Sequence, residues 1–137
     1  MNSMAENLKP YIIEWPSIGS SDLGYLSVAE SQKNLPFELK RAFWSYYTPQ
    51  MITRGRHAHH QLEQVLVAVA GKIIVTTENR HGDTEVFVLE SPSKGLYIPP
   101  QYWHVMQFSH SAVMLSLASM PYNEDDYIRD YEVFKGV

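Results

Sequence analysis

A chain of 137 residues, 45% of them hydrophobic, is long enough to bury one core and too short for two, so a single domain over 1–137 is expected. A formal net charge of −4 argues against the extended basic surface that duplex nucleic acid requires, and the lack of cysteine rules out disulfides and thiolate metal ligands. No apolar run approaches the roughly 20 residues that span a bilayer, and the N-terminal MNSMAENLKP lacks the basic-then-apolar pattern of a secretory leader, which makes the cytoplasm the expected location.

Short apolar runs bounded by turn residues follow one another along the chain, and this pattern predicts strands. In order they are GYLSVAE from Gly24, RAFWSYY from Arg41, the histidine segment from Arg54, QVLVAVA from Gln64, KIIVTT from Lys72, TEVFVLE from Thr84, GLYIPP from Gly95, HVMQFS from His104 and AVMLSLA from Ala112. The polar ENRHGD between two of these runs, with its glycine, predicts a hairpin loop. Many short strands at this spacing predict an all-β sandwich or small barrel. The tail YNEDDYIRDYEVF differs. It sets Tyr127, Ile128, Tyr131 and Phe134 on one helical face, with Asn123 as a cap and Glu124, Asp125 and Asp126 against the positive end of the dipole, predicting a short C-terminal helix or turn.

Chemistry concentrates in RGRHAHHQLEQ, Arg54 to Gln64. Strand alternation points His57 and His59 to one face and His60 to the other. Taken strictly it would send Arg54 and Arg56 away from the pair, but Gly55 is a candidate bulge that resets the register. An anionic ligand would be met locally by arginines such as Arg41, Arg54 and Arg56, whose guanidinium forks suit phosphate oxygens. Phe43, Trp44, Tyr46 and Tyr47 offer aromatic faces to a base, although alternation presents only half of them to any one side. His60, His81 and His110 are expected at the surface.

Gly55, His57, His59, Glu63 and Gly71, followed by Gly95, Pro100 and His104, resemble the paired motifs of cupins, which are jelly-roll β-barrels with a site at the mouth. In metal-binding cupins the corresponding histidines and Glu63 are the ligands. The longer stretches RGRHAHHQLEQVLVAVAGKI, SPSKGLYIPPQYWHVMQFS and LASMPYNEDDYIRDYEVF resemble the sugar-nucleotide 3,4-ketoisomerases, the WxcM-like cupins, over about Leu35 to Phe134. That resemblance implies a homodimer without metal or other cofactor that moves the ketone of a dTDP-linked 4-keto-6-deoxy sugar from C4 to C3. It implies His57 and His59 as base and proton-relay partner, and Arg41, Arg54, Gln64, Tyr97 and His104 as substrate-binding residues. The chain departs from the family pattern at Leu23, where arginine is usual, and at His60, Val105 and Asn123, while the histidine pair is intact. The rivals are a metal-dependent cupin using His57, His59, Glu63 and His104, and a non-catalytic cupin that binds a sugar nucleotide.

Overall fold

The computed structural model describes residues 8–136. Its strands are β1 (Tyr11–Glu14), β2 (Ile18–Ser20), β3 (Gly24–Leu26), β4 (Arg41–Ser45), β5 (Thr53–His59), β6 (Gln64–Ala70), β7 (Ile73–Glu78), β8 (Thr84–Leu89), β9 (Lys94–Ile98), β10 (Trp103–Phe108), β11 (Val113–Ala118) and β12 (Tyr127–Ile128), with a terminal helix α1 (Tyr131–Lys135). They form two five-stranded sheets, β1-β9-β6-β11-β4 and β12-β5-β10-β7-β8, and the separate hairpin β2-β3. All pairings between strands are antiparallel, and the two sheets face each other as the expected jelly-roll barrel. Among the described residues no helix is long and apolar enough to cross a membrane.

Alternation along the strands explains the core. Leu66 and Ala68 of β6, Leu96 and Ile98 of β9, and Met114 of β11 meet Ile73 and Val75 of β7 and Met106 and Phe108 of β10 between the sheets. The opposite face of β6 is also covered, which is why QVLVAVA shows no polar alternation after Gln64: Val65 and Val67 pack under Trp15, Leu35 and Phe37. This covering layer explains Gly95, where a Cβ would lie 2.6 Å from both the Trp15 ring and Val65. Glu78 pairs with Thr84 across the hairpin predicted at ENRHGD, and Asn79 closes the loop by accepting from the backbone N–H groups of His81 and Asp83.

One expectation is corrected, and the expected short C-terminal helix or turn is present in a more divided form. GYLSVAE contributes only the three residues of β3, while β1 and β2 lie upstream in a segment whose bounding prolines, Pro10 and Pro16, obscured them. The tail is not one helix. Asn123 caps as expected, accepting from Asp125 N–H, but it starts a single 3₁₀ turn over Glu124–Asp126. Tyr127 and Ile128 then pair with His59 and Ala58 as a new edge of the second sheet. Only after that does α1 form, capped by Asp130 and ended by Gly136 in the left-handed conformation. Buried Phe134 packs with Ala58, Ile128 and Trp103, while Tyr131 and Lys135 bond Glu78, so the tail is latched to the barrel at the end carrying the histidines.

Candidate active site

The bulge suggested by Gly55 is present. His57 lies opposite His104 and Gly55 opposite Val105, which leaves Arg56 without a partner on β10. Gly55 and Arg56 both take left-handed φ values, 90° and 60°, and a Cβ on Gly55 would stand 2.9 Å from the His104 carbonyl oxygen. The extra residue shifts the phase of the strand. Arg54 therefore lines the same cavity as His57 and His59, and Arg56 is exposed outside it.

That cavity has a volume of about 320 Å³ and opens at the mouth of the barrel. Leu66, Met106 and Met114 supply apolar lining, His57, His59, His104, Gln64, Ser116 and Tyr127 the polar and aromatic lining, and the exposed Arg54 and Arg129 stand among its edges with Phe43 and Ser45. A larger surface groove of about 460 Å³ between β1 and residues 32–36 carries no histidine or carboxylate and lies apart from this chemistry.

The imidazoles of His57 and His59 are 4.9 Å apart, and His57 is 4.6 Å from His104. Each ring is held through Nδ1: His57 3.1 Å from the Gly55 carbonyl, His104 3.1 Å from the Tyr102 carbonyl, and His59 3.2 Å from Asp126 Oδ2. A carbonyl oxygen only accepts, so Nδ1 of His57 and His104 must carry the proton and Nε2 the lone pair. The Gln64 amide then donates to His104 Nε2 at 3.2 Å. Burial, the largest cause, pushes His57 below its ordinary range, with the Gly55 hydrogen bond opposing. His104, fully buried, is held well below that range by desolvation and by the other two imidazoles. Burial also pushes His59 down to about 3, with His57, Arg41 and Arg129 acting in the same direction. The Asp126 carboxylate beside His59 is shared with the backbone N–H groups of Gln61 and Leu62 at 2.9 and 3.2 Å. In all three rings burial favours the neutral form.

Other expected residues lie elsewhere. Tyr97 is not in the cavity: alternation on β9 sends Leu96 and Ile98 into the barrel and Tyr97 into the outer cluster with Trp15 and Leu35. There its hydroxyl donates to Glu63 at 2.6 Å, so Glu63 too faces away and the carboxylate required for the metal-dependent rival is missing from the pocket. The ligand nitrogens of His57, His59 and His104 lie within 4.8 Å of one another, but Gln64 occupies the inward position beside them and its amide is spent on His104. Arg41 stands beside the mouth, its guanidinium 4.9 Å from the Phe43 ring and 5.6 Å from Tyr122, with a buried Nε that has no hydrogen-bond partner among the described residues. Of the aromatic run, Phe43 lines the cavity and Trp44 points outward, exposed. His60, His81 and His110 are exposed as expected.

Four members of the site lie outside the residues expected from the sequence: Ser116, Asp126, Tyr127 and Arg129. Ser116 is fully buried, its hydroxyl without a hydrogen-bond partner among the described residues, one of the small residues hidden in an apolar strand. The other three come from the tail, where a carboxylate, an aromatic and an arginine recur within four residues. Tyr127 packs 4.5 Å from the His59 ring and carries Arg129 over its other neighbourhood at 4.1 Å, while Glu124 grips Arg129 at 2.6 and 2.9 Å.

A jelly-roll barrel whose mouth gathers neutral imidazoles beside arginines is a cupin with a small-molecule pocket suited to proton transfer. The family model described as FdtA: WxcM-like, C-terminal matches residues 8–137, and the chain belongs to that family. A relative from Aneurinibacillus thermoaerophilus, TDP-4-oxo-6-deoxy-alpha-D-glucose-3,4-oxoisomerase, is 44% identical over 113 residues, covering 82% of this chain and 81% of the relative. The 3,4-ketoisomerase QdtA from Thermoanaerobacterium thermosaccharolyticum, solved in complex with TDP, superimposes with a TM-score of 0.90 at 33% identity over 95% of this chain and 94% of its own. The TDP-quinovose 3,4-ketoisomerase WlaRB from Campylobacter jejuni gives 0.88 at 35% identity, over 93% of this chain and 98% of its own.

Proposed function

We propose that the protein isomerises a dTDP-linked 4-keto-6-deoxyhexose to the 3-keto sugar in deoxysugar biosynthesis, with His57 and His59 moving the protons. The observation that carries this is the pair of imidazoles in one cavity, 4.9 Å apart, each with Nδ1 engaged from behind. The carbonyl at C4 acidifies the C3 proton. One imidazole Nε2 takes that proton, the electron pair moves onto the C4 oxygen, and protonation there gives the enediol. Loss of the proton from the C3 hydroxyl and return of a proton to C4 then complete the transfer, with nothing gained or lost overall. An imidazole kept neutral by burial is the form that accepts a proton at working pH. Arg54 and Arg41 are the cations for the diphosphate or the developing oxyanion, and buried donors aimed at such an oxygen give a large catalytic return. Gln64 and His104 form the polar wall behind the sugar.

A homodimer is part of the same reading. The β2-β3 hairpin exposes Ile18, Leu23, Tyr25 and Leu26, and a two-stranded ribbon with no covered face is marginal alone. The test of function is proton NMR of dTDP-4-keto-6-deoxyglucose in deuterated buffer with chelator-treated protein. A 3-keto sugar carrying deuterium is expected. An unchanged spectrum, or turnover that vanishes on chelation and returns with metal, would overturn the assignment.

A further inference from the structure

Of the three pocket histidines, two rest Nδ1 on a carbonyl of the residue two positions earlier, a local contact that any strand can provide. His59 is different. Its partner is the carboxylate of Asp126, 67 residues away in sequence and buried, with 7% of its surface exposed. No lysine or arginine lies in ion-pair range of this carboxylate among the described residues; its partners are His59 and the backbone N–H groups of Gln61 and Leu62. A charge buried without a cation is retained at a cost unless each oxygen is met by donors. Here Oδ1 accepts from Gln61, while Oδ2 accepts from Leu62 and faces His59 Nδ1.

The surrounding backbone fixes this arrangement. The Asn123-capped 3₁₀ turn presents Asp126, His60 N–H donates to the Asp126 carbonyl at 2.9 Å, and Tyr127 pairs with His59 in the ladder. Such investment of backbone contacts exceeds what is needed to end a strand.

We propose that Asp126 is the positioning residue of His59: its carboxylate accepts the Nδ1 proton, fixing the tautomer whose Nε2 lone pair faces the cavity, and steadies the ring when Nε2 takes up a proton. The kinetic consequence rests on the ketoisomerase reading; the tautomer rests on the geometry alone. In hydrolases with a buried aspartate behind a histidine, the wrong tautomer lowers kcat by roughly 10⁴-fold, so a large effect on turnover with little effect on binding is expected here.

The test is long-range ¹H–¹⁵N NMR of the ¹⁵N-labelled full chain near pH 7, with the His59 signals assigned by their loss in His59→Asn, alongside kinetics of Asp126→Ala. In the wild type the ring proton is expected on Nδ1. In Asp126→Ala, with no acceptor there, it is expected to shift toward Nε2, while kcat falls on the order of 10²-fold or more and KM and TDP affinity stay within about threefold. A wild-type proton on Nε2 overturns the proposal, and this holds even if the variant does not fold. Loss of kcat with the Nδ1 proton retained would make Asp126 merely structural and overturn it too, as would a moved proton with full kcat. If the wild type shows the Nδ1 proton but does not isomerise dTDP-4-keto-6-deoxyglucose, the assigned reaction fails and the His59–Asp126 pairing stands.

Discussion

Acidification from pH 7 to pH 5 probes whether the pocket histidines are held neutral. A histidine whose folded pKa lies below its unfolded one binds fewer protons folded than unfolded. Its contribution to stability is therefore complete above the ordinary 6.5 and is lost as pH falls toward the folded value, which for His59 is about 3. Between pH 7 and pH 5 the unfolded histidine goes from about one-quarter protonated to almost fully so, while folded His59 stays neutral; the linked loss is about 2 kcal/mol. His104 and His57 are lowered as well and add to the loss in the same direction. Glu124, pushed down to about 2 chiefly by its hydrogen bonds from Arg129 and Tyr122, loses its contribution only below its ordinary 4.5 and so lies outside this window. Against a typical total of roughly 5–15 kcal/mol, the His59 share alone is measurable. Urea unfolding followed by tryptophan fluorescence at pH 7, 6 and 5 gives the slope, and His59→Asn should flatten it. Stability that holds constant over this range would refute the assignment of a desolvated, neutral pocket. Stability that rises on acidification would show instead that the Asp126 carboxylate outweighs burial at His59.

His57→Asn should lower kcat by about 10²–10⁴-fold while TDP binding, followed by calorimetry, is retained, because the imidazole is asked to move a proton rather than to bind. Arg54→Ala should weaken TDP binding about tenfold, as expected for a charge-assisted hydrogen bond; an unchanged affinity would remove Arg54 from the diphosphate site. Phe134→Ala should cost about 3–5 kcal/mol of local packing and release the latch of α1, lowering turnover together with the urea midpoint. A variant with full turnover would show that the tail does not depend on this anchor to hold Asp126 and Tyr127 at the site.

Much of this was legible along the chain because strands write their two-residue period locally. Gln64–Ala70 is β6 without adjustment, and the alternation that placed His57 and His59 together holds in the structure. Gly55 also announced its bulge, since a Cβ there would stand 2.9 Å from the His104 carbonyl oxygen of β10. Tyr97 and Glu63 failed as pocket candidates for a nonlocal reason. Motif spacing leaves open which way Tyr97 on β9 and Glu63, just before β6, point, and which side is inside depends on the second sheet and on the Trp15 layer covering the first.

The tail shows the same division. Its acidic and aromatic residues satisfied the rules for a helix, and Asn123 and Asp130 do cap turns. The open edge of β5 nevertheless recruited Tyr127 and Ile128 as a strand, because a sheet edge offers backbone hydrogen bonds that a five-residue helix cannot match. Local pattern along the chain marks the strands from Arg41 to Ala118, the histidine pair and the family, because two-residue alternation and motif spacing are both short-range. Contacts between segments far apart in the chain place Asp126 behind His59, bring Ser116, Tyr127 and Arg129 to the cavity and turn Glu63 away from it.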